Sequence, residues 1–295
     1  MDRVSTAVGP QPHPRARRRV VWRRLAAAVP LYAAVSLGAF LMVFPFLWLL
    51  STSLKSEGEA LIIPPVWIPN PILWENYGRA WTALPFGRAY VNSLYIALLV
   101  TVGQMITCAM AAYGFARIRF WGRDVIFVLF LATLMVPFQV TLVPSFILFR
   151  NIGWVNTHLP LLVPPIMINA FGVFLLRQFV MTLPVELEEA AVMDGAGRGR
   201  IFTQIVLPLI GPGLAALGIF TFLGTWNAFL APLIFLNSSE LFTVPILLNS
   251  FRGLYNTAWP LVMAASAISV IPVLVVYVAL QQYFIQGIAL TGLKG

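Results

Sequence analysis

Groups that commonly carry enzyme chemistry are scarce in this 295-residue sequence. Charged residues make up only 10% of it, and Lys55 and Lys294 are the only lysines. A phosphate-binding P-loop needs a glycine-rich run directly before its lysine. Lys55 instead follows Ser51-Thr52-Ser53-Leu54, and Lys294 is the penultimate residue. The sequence therefore predicts a chain that does not hydrolyse ATP by itself.

Histidine and cysteine are also nearly absent. His13 lies in an arginine-rich stretch, and His158 lies between two apolar runs, so neither a bis-histidine haem nor a histidine-rich metal site can be built. Cys108 is the only cysteine, which excludes an intrachain disulfide. No histidine or carboxylate lies within an apolar run to activate a serine. We predict no catalytic residue, no metal and no cofactor bound by this chain.

The ten acidic residues all lie outside the middle of the apolar runs. Carriers driven by an ion gradient commonly place an ionisable group at membrane depth. The positions of the acidic residues therefore disfavour a carrier driven by an ion gradient. The net charge of +9 is better explained by membrane topology and lipid headgroups than by nucleic acid.

Apolar residues make up 60% of the chain, which leaves too little polar surface for a water-soluble protein of this size. The apolar runs are continuous, which favours helices over barrel strands. The predicted fold is all-α, a polytopic membrane protein with six transmembrane helices, several of them kinked by proline. The predicted spans are Leu25–Leu50, Tyr90–Ala116, Val125–Phe149, Leu159–Leu183, Leu207–Leu236 and Leu261–Ile285.

The basic residues predict the orientation of these spans. With the N-terminus inside, 14 of the 19 Lys and Arg residues lie on the cytoplasmic side, and both termini are cytoplasmic. Residues 1–24 read as a disordered basic tail, 25–50 as the first span and 51–89 as an extracytoplasmic loop. Residues 90–285 form the transmembrane core, and 286–295 form a cytoplasmic tail. We expect membrane lipid around the bundle and no nucleic-acid partner.

The predicted cytoplasmic segment 184–208 has more pattern than a connector needs. Glutamates stand in the first turn of a short helix, glycines at 195 and 197 break it, and a second apolar stripe leads to Pro208. The pattern predicts two short helices around a glycine turn, with Leu187, Ala190 and Ala191 on a face that another protein could approach.

At these residues the sequence resembles a known family. Glu189-Ala190-Ala191, Gly195, Ile205 and Leu207-Pro208 have the spacing of the EAA loop of ABC-importer permeases. Further matches resemble the smaller, maltose-type permease subunit of carbohydrate importers: Asn92-Ser93, Ala111 to Arg117, Trp226-Asn227 and Lys294-Gly295. Ala228 and Gly197 depart from the pattern, where an acidic and a small hydroxyl residue are common.

The resemblance implies the type I ABC importer permease fold in a prokaryotic cytoplasmic (inner) membrane. It implies a permease subunit for a sugar or oligosaccharide. Its partners would be a second homologous permease, two ABC ATPase subunits that hold ATP and Mg, and an extracytoplasmic solute-binding protein. The ATPase-coupling residues would be Glu189, Ala190, Ala191, Asp194, Gly195, Ile205, Leu207 and Pro208. Lys294 and Gly295 would insert between the ATPases.

Four polar or aromatic residues in or near the spans are candidates for a sugar pathway: Trp226, Asn227, Asn169 and Gln139. Helix–helix hydrogen bonding explains the same residues equally well. Two other functions stay open at this point, a gradient-driven secondary carrier and a non-transporting membrane scaffold. The absence of a mid-span acid disfavours the first, and the EAA-like spacing disfavours the second.

Overall fold

The apolar runs form helices that proline and glycine repeatedly interrupt. A computed structural model describes residues 14–251 and 257–292, and this part of the chain contains no β-strand. The all-α prediction is confirmed. The helices are α1 (Pro14–Ser53), α2 (Glu57–Ala60), α3 (Glu75–Ala83), α4 (Phe86–Arg117), α5 (Arg123–Ala132), α6 (Phe138–Asn151), α7 (Leu159–Met167), α8 (Ala170–Thr182), α9 (Glu186–Met193), α10 (Arg198–Ile201), α11 (Leu207–Leu209), α12 (Gly211–Trp226), α13 (Leu230–Phe235), α14 (Val244–Ser250) and α15 (Trp259–Gly292).

Helix α1 begins at Pro14 and not at the predicted Leu25. Residues 14–24, part of the predicted basic tail, lie within this helix. Proline is favoured in the first turn of a helix, and arginine and alanine, which fill much of this stretch, are strong helix formers. The membrane-spanning part, Ala28–Ser53, is apolar, and none of residues 28–51 is buried within this chain, whereas Thr52 and Ser53 at its end are buried.

The connection from α1 to α4 folds back onto the end of α1. The Asn76 amide, on α3, donates hydrogen bonds of 2.9 Å to the backbone oxygens of both Ser53 and Lys55. The Tyr77 hydroxyl lies 2.9 Å from the Ser53 hydroxyl. Lys55 is buried, with its ammonium 4.0 Å from the centre of the Trp48 ring. This predicted loop is thus a docked cap that contains two short helices.

Helix α4 is the centre of the bundle and packs against α7, α8 and α12. Small residues let these helices approach closely. A Cβ atom on Gly172 of α8 would lie 2.8 Å from the Cys108 sulfur, and one on Gly213 of α12 would lie 2.6 Å from the Phe179 ring. A larger side chain at either crossing would force the neighbouring side chains to shift.

Two predicted spans are not single straight helices. The third bends by 97° between Arg123–Met135 and Phe138–Asn151. Val136 is extended there because the following Pro137 disfavours a helical residue before it. The fifth bends by 74° between Arg198–Leu209 and Gly211–Trp226, and it breaks again before α13. The prediction that proline interrupts several helices is confirmed.

Four stretches of the described chain are long and apolar enough to cross a membrane: Ala28–Ser53, Phe86–Arg117, Leu159–Thr182 and Trp259–Gln281. The count rises to six if each bent pair is one span. The second stretch begins at Phe86, before the predicted Tyr90, and the third, Leu159–Thr182, contains a break between α7 and α8.

Candidate functional site

The EAA-like segment folds into two short helices around a glycine turn, as the sequence predicts. Helix α9 ends at Met193, and Gly195 follows with a φ of +81°. Its N–H donates to the Val192 carbonyl, and the next N–H, of Ala196, donates to the Ala191 carbonyl. Gly197, the second glycine of the predicted turn, has φ −73° and ψ 161° and is the N-cap residue of α10. Only the first of these glycines needs its freedom of backbone.

Helix α9 has one buried and one exposed face. Ala191 is 9% exposed and packs with Tyr113, Ile201 and Val206. Met193 is 87% exposed, and the remaining exposed positions on α9 are Glu186, Leu187, Glu189, Ala190 and Val192. Asp194 and Pro208 are exposed as well, whereas Ile205 and Leu207 are half-buried. Ala190 thus faces outward, while Ala191 is used within the chain.

A groove of about 500 Å³ lies beside this exposed face, between the end of α4 and the segment α9–α10. Both signs of charge line it, Arg117 and Arg198 with Glu188 and Glu189. Arg117 and Glu188 form an ion pair of 2.6 Å inside it. The sequence places Arg117 at the end of the family-like segment Ala111 to Arg117 and Glu188 among the glutamates of the first turn, but it does not pair the two residues.

The segment from α10 to α12 is helical but irregular. A π-helical turn, Phe202–Val206, separates α10 from α11, and the 74° bend follows at Ile210. Pro208 lies in α11, just before this bend. The fifth membrane helix therefore meets the EAA-like segment at an elbow, and Pro208 lies on the side of the elbow nearest α9.

A cavity of about 420 Å³ lies among α4, α6, α7, α12 and α13. Its polar lining includes Ser93, Ser145, Thr225 and Thr243, and aromatic rings and prolines supply much of the rest. The Thr243 hydroxyl oxygen is buried and has no hydrogen-bond partner within the described chain. No charged side chain lines this cavity. Such a lining suits an uncharged ligand that carries hydroxyl groups.

Asn169 lies at the break between α7 and α8. Its side-chain oxygen accepts from the Gly172 N–H at 2.8 Å and caps α8, and its amide donates to the Gln104 side-chain oxygen. The Thr221 hydroxyl donates to the same Gln104 oxygen at 2.8 Å, and the Gln104 amide donates to the Pro165 carbonyl at 2.7 Å. Asn169, Gln104 and Thr221 also line a second cavity of about 210 Å³, which shares Gly224 and Thr225 with the larger one.

The other three candidate pathway residues line neither cavity. Trp226 is 3% exposed, stacks on Phe222, and donates from its indole N–H to the Ser269 carbonyl at 3.2 Å. Asn227 is exposed at the end of α12 and donates to the Leu223 carbonyl at 2.9 Å. Gln139 is exposed on α6. Thr225 and Thr243, which do line the larger cavity, were missed because isolated threonines in apolar runs carry no pattern.

The predicted C-terminal coupling residues, Lys294 and Gly295, lie outside the described residues. Within the residues that are described, no group of three or more His, Cys, Asp and Glu side chains could hold a metal ion.

The chain is similar to known transport proteins. The family model of the binding-protein-dependent transport system inner membrane component matches residues 103–290. The arabinooligosaccharides transport system permease protein AraQ of Halalkalibacterium halodurans is 36% identical, over 87% of this chain and 93% of that protein. The sn-glycerol-3-phosphate transport system permease protein UgpE of Yersinia pestis is 35% identical, over 85% and 92%.

A solved structure has the same fold. It is a bacterial ABC transporter involved in the import of the acidic polysaccharide alginate. One of its chains superposes with a TM-score of 0.76 and 23% identity, over 93% of this chain and 99% of that one. The chain is therefore an integral membrane protein with the fold of an ABC transporter subunit. It belongs to the family of binding-protein-dependent transport system inner membrane components.

Proposed function

We propose that this chain is one permease subunit of an ATP-driven importer that carries a sugar or oligosaccharide across a prokaryotic inner membrane. It acts with a second homologous permease, two ABC ATPase subunits and an extracytoplasmic solute-binding protein. The exposed face of α9 beside the left-handed turn at Gly195 carries this proposal. A connector that only joined two spans would need neither the turn nor the uncovered apolar side chains.

In this proposal α9 docks on an ATPase. Glu189 contacts the ATPase surface, Ala190 permits close approach, and Leu187, Val192 and Met193 supply apolar contact area. Gly195 and the buried Ala191 hold α9 against the bundle, with Asp194 at the exposed end of α9. Ile205, Leu207 and Pro208 carry the displacement toward the elbow before α12. When ATP binds, the two ATPases close and swing each permease from an inward-facing to an outward-facing state.

Both termini lie in the cytoplasm in this scheme. Among the described basic residues, Arg117 ends α4, Arg123 begins α5 and Arg198 begins α10, and Arg117 and Arg198 line the groove beside α9. The end of the bundle that holds this groove would face the cytoplasm and its anionic lipid surface. Lys294 and Gly295 would reach between the ATPases, and their removal would weaken coupling.

The larger cavity supports an uncharged polyhydroxylated substrate. A phosphorylated substrate would need cationic or helix-terminal donors, and no charged side chain lines the cavity. Asn169 would border the path through the smaller cavity, and Asn227 and Gln139 would meet the substrate at exposed positions. Trp226 would position α12 rather than touch the sugar, because its indole is already buried against Phe222 and bonded to Ser269.

The chain contributes no catalytic residue in this proposal, and ATP and Mg are held by the ATPases. The experiment is reconstitution of the complex, made by co-expressing this chain with a second permease, ATPase and binding-protein gene from the same genome. Uptake of neutral sugars and of glycerol 3-phosphate is measured with ATP inside the vesicles, or with only a proton or sodium gradient. We expect sugar uptake that needs both ATP and the binding protein. Uptake driven by a gradient alone, or no uptake with no bound ATPase, would overturn the proposal.

A further inference from the structure

Arg117, the last residue of α4, joins three parts of the bundle. Its Nε donates to Glu188 Oε1 at 2.6 Å. Its Nη2 donates to the carbonyl oxygens of Val180 at 3.0 Å and Leu183 at 2.6 Å. A single guanidinium therefore connects α4, the end of α8 and the first turn of α9.

Arg117 binds carbonyls at the end of α8, where the usual helical partners are missing. Pro184, four residues after Val180, has no N–H to offer, and the Val180 carbonyl accepts a 3.2 Å hydrogen bond from the Leu183 N–H besides the one from Arg117. Lysine could not replace arginine here, because only the planar guanidinium presents several donors in a fixed fork. The geometry fixes the connection between α8 and α9 to the end of α4.

The ion pair is shielded from water. Only 13% of the Arg117 side chain and 14% of the Glu188 side chain are exposed. The Tyr113 hydroxyl, one turn earlier on α4, donates to Glu188 Oε2 at 3.3 Å. Both carboxylate oxygens of Glu188 are thus held by α4, so Glu188 is fixed to α4 and does not take part in the exposed face of α9.

Apolar contacts reinforce the same connection. Tyr113 packs in one cluster with Ala191 of α9 and with Ile201 and Val206, which follow the glycine turn. Its ring centre lies 5.4 Å from that of Phe202. The end of α4 therefore contacts both halves of the segment 184–208, whereas the route along the chain to α12 passes through the π-helical turn and the elbow.

We propose that the Arg117–Glu188–Tyr113 cluster makes α4 and α9 move as one body, so that displacement of α9 by an ATPase reaches the substrate cavity through α4. Arg117 and Glu188 are positioning residues in this scheme. Ser93 and Ile96 of the same helix line the larger cavity. The inference rests on the proposed function, since it assumes that an ATPase displaces α9.

The test measures a distance and a coupling ratio in the reconstituted complex. Spin labels replace Glu186, which is exposed in the first turn of α9, and Trp121, which is 96% exposed in the turn after α4. In the unaltered cluster we expect the distance between the labels to stay constant when ATP and vanadate trap the closed state. In Arg117→Met and Glu188→Gln we expect this distance to change on trapping.

Those two variants should still hydrolyse ATP while uptake per ATP falls about tenfold, the loss expected for one charge-assisted hydrogen bond. Arg119→Met is the matched control, because Arg119 is exposed two residues further along the chain. It should behave as the unaltered protein. Tyr113→Phe removes only the longer hydrogen bond and should have a smaller effect.

The outcomes separate the inference from the proposed function. Suppose that the ATPases bind and transport is coupled in the unaltered complex. If both variants then keep a constant distance between the labels and the full uptake per ATP, the inference is wrong. If the unaltered complex retains no ATPase, the proposed function is wrong. Should Arg117→Met fail to accumulate, Glu188→Gln carries the test, because it keeps the shape and removes the charge.

Discussion

Substitution of Gly195 by valine isolates the role of the left-handed turn after α9. Gly195 has a φ of +81°, and a Cβ built on it would meet no atom within 4 Å. A side chain at position 195 therefore costs only backbone strain. The left-handed conformation costs an L residue about 1–2 kcal/mol. That energy changes the equilibrium between the native and a rearranged turn by a factor of about 5–30. Valine is worse than alanine here, because β-branched residues are rare at positive φ.

The matched control lies two residues away. Gly197 is also exposed with no atom within 4 Å of a Cβ, but its φ is −73°. The assay is retention of the ATPase subunits on the purified permease, followed by ATP-driven uptake in vesicles. We expect Gly195→Val to lose both the bound ATPase subunits and ATP-driven uptake. Gly195→Asn should lose less of each, because asparagine tolerates the left-handed conformation, and Gly197→Val should change little. Equal behaviour of the two valine variants would refute the reasoning.

Three further predictions follow from packing and charge. Gly213→Ala should lower the unfolding temperature, because the added Cβ would lie 2.6 Å from the Phe179 ring and overpacking costs about 1–3 kcal/mol. Gly114→Ala is the control, because a Cβ there has open space and should not lower the unfolding temperature. Thr225→Glu, which adds a charge to the larger cavity, should abolish uptake of a neutral sugar while the ATPases stay bound. Burial lowers the pKa of the Lys55 ammonium, so the unfolded chain binds this proton more tightly. Stability should therefore rise as pH increases toward 10.5, the ordinary lysine pKa, and unfolding temperatures across that range should show a smaller slope in Lys55→Met.

Local sequence signals predicted the features that depend on local chemistry. Continuous apolar runs gave the helices, because every backbone group in a membrane must be satisfied within its own segment. The turn at Gly195 followed from a helix-favouring stretch that ends in glycine. The bend before Pro137 followed from the steric effect of proline on the residue before it.

Contacts between distant segments could not be predicted. Arg117 and Glu188 are far apart in sequence, and only the packing of α4 against α8 brings them together. Trp226 was a candidate for the substrate path, yet its burial depends on Ser269 and Tyr90, which no local pattern connects to it. The cavity threonines are likewise defined by the surrounding helices and not by their neighbours in sequence.

The elbow between Arg198–Leu209 and Gly211–Trp226 shows where a correct local rule gave an incomplete answer. Pro208 and Pro212 both signal an interruption, but the sequence placed the entry to the fifth span at Leu207. In the structure the helix continues through a π-helical turn and bends only at Ile210. A π turn adds one residue to the turn without a composition signature of its own.

The central claim is that α9 is the surface on which an ATPase docks. It is tested most directly by a photo-reactive amino acid in place of Met193, activated in membranes that contain the whole transport complex. The account predicts a covalent product with the ATPase subunit, whereas the same group in place of Val275, 61% exposed on α15, should not reach that subunit. Products with lipid alone from position 193, in membranes that still import the substrate, would contradict the account.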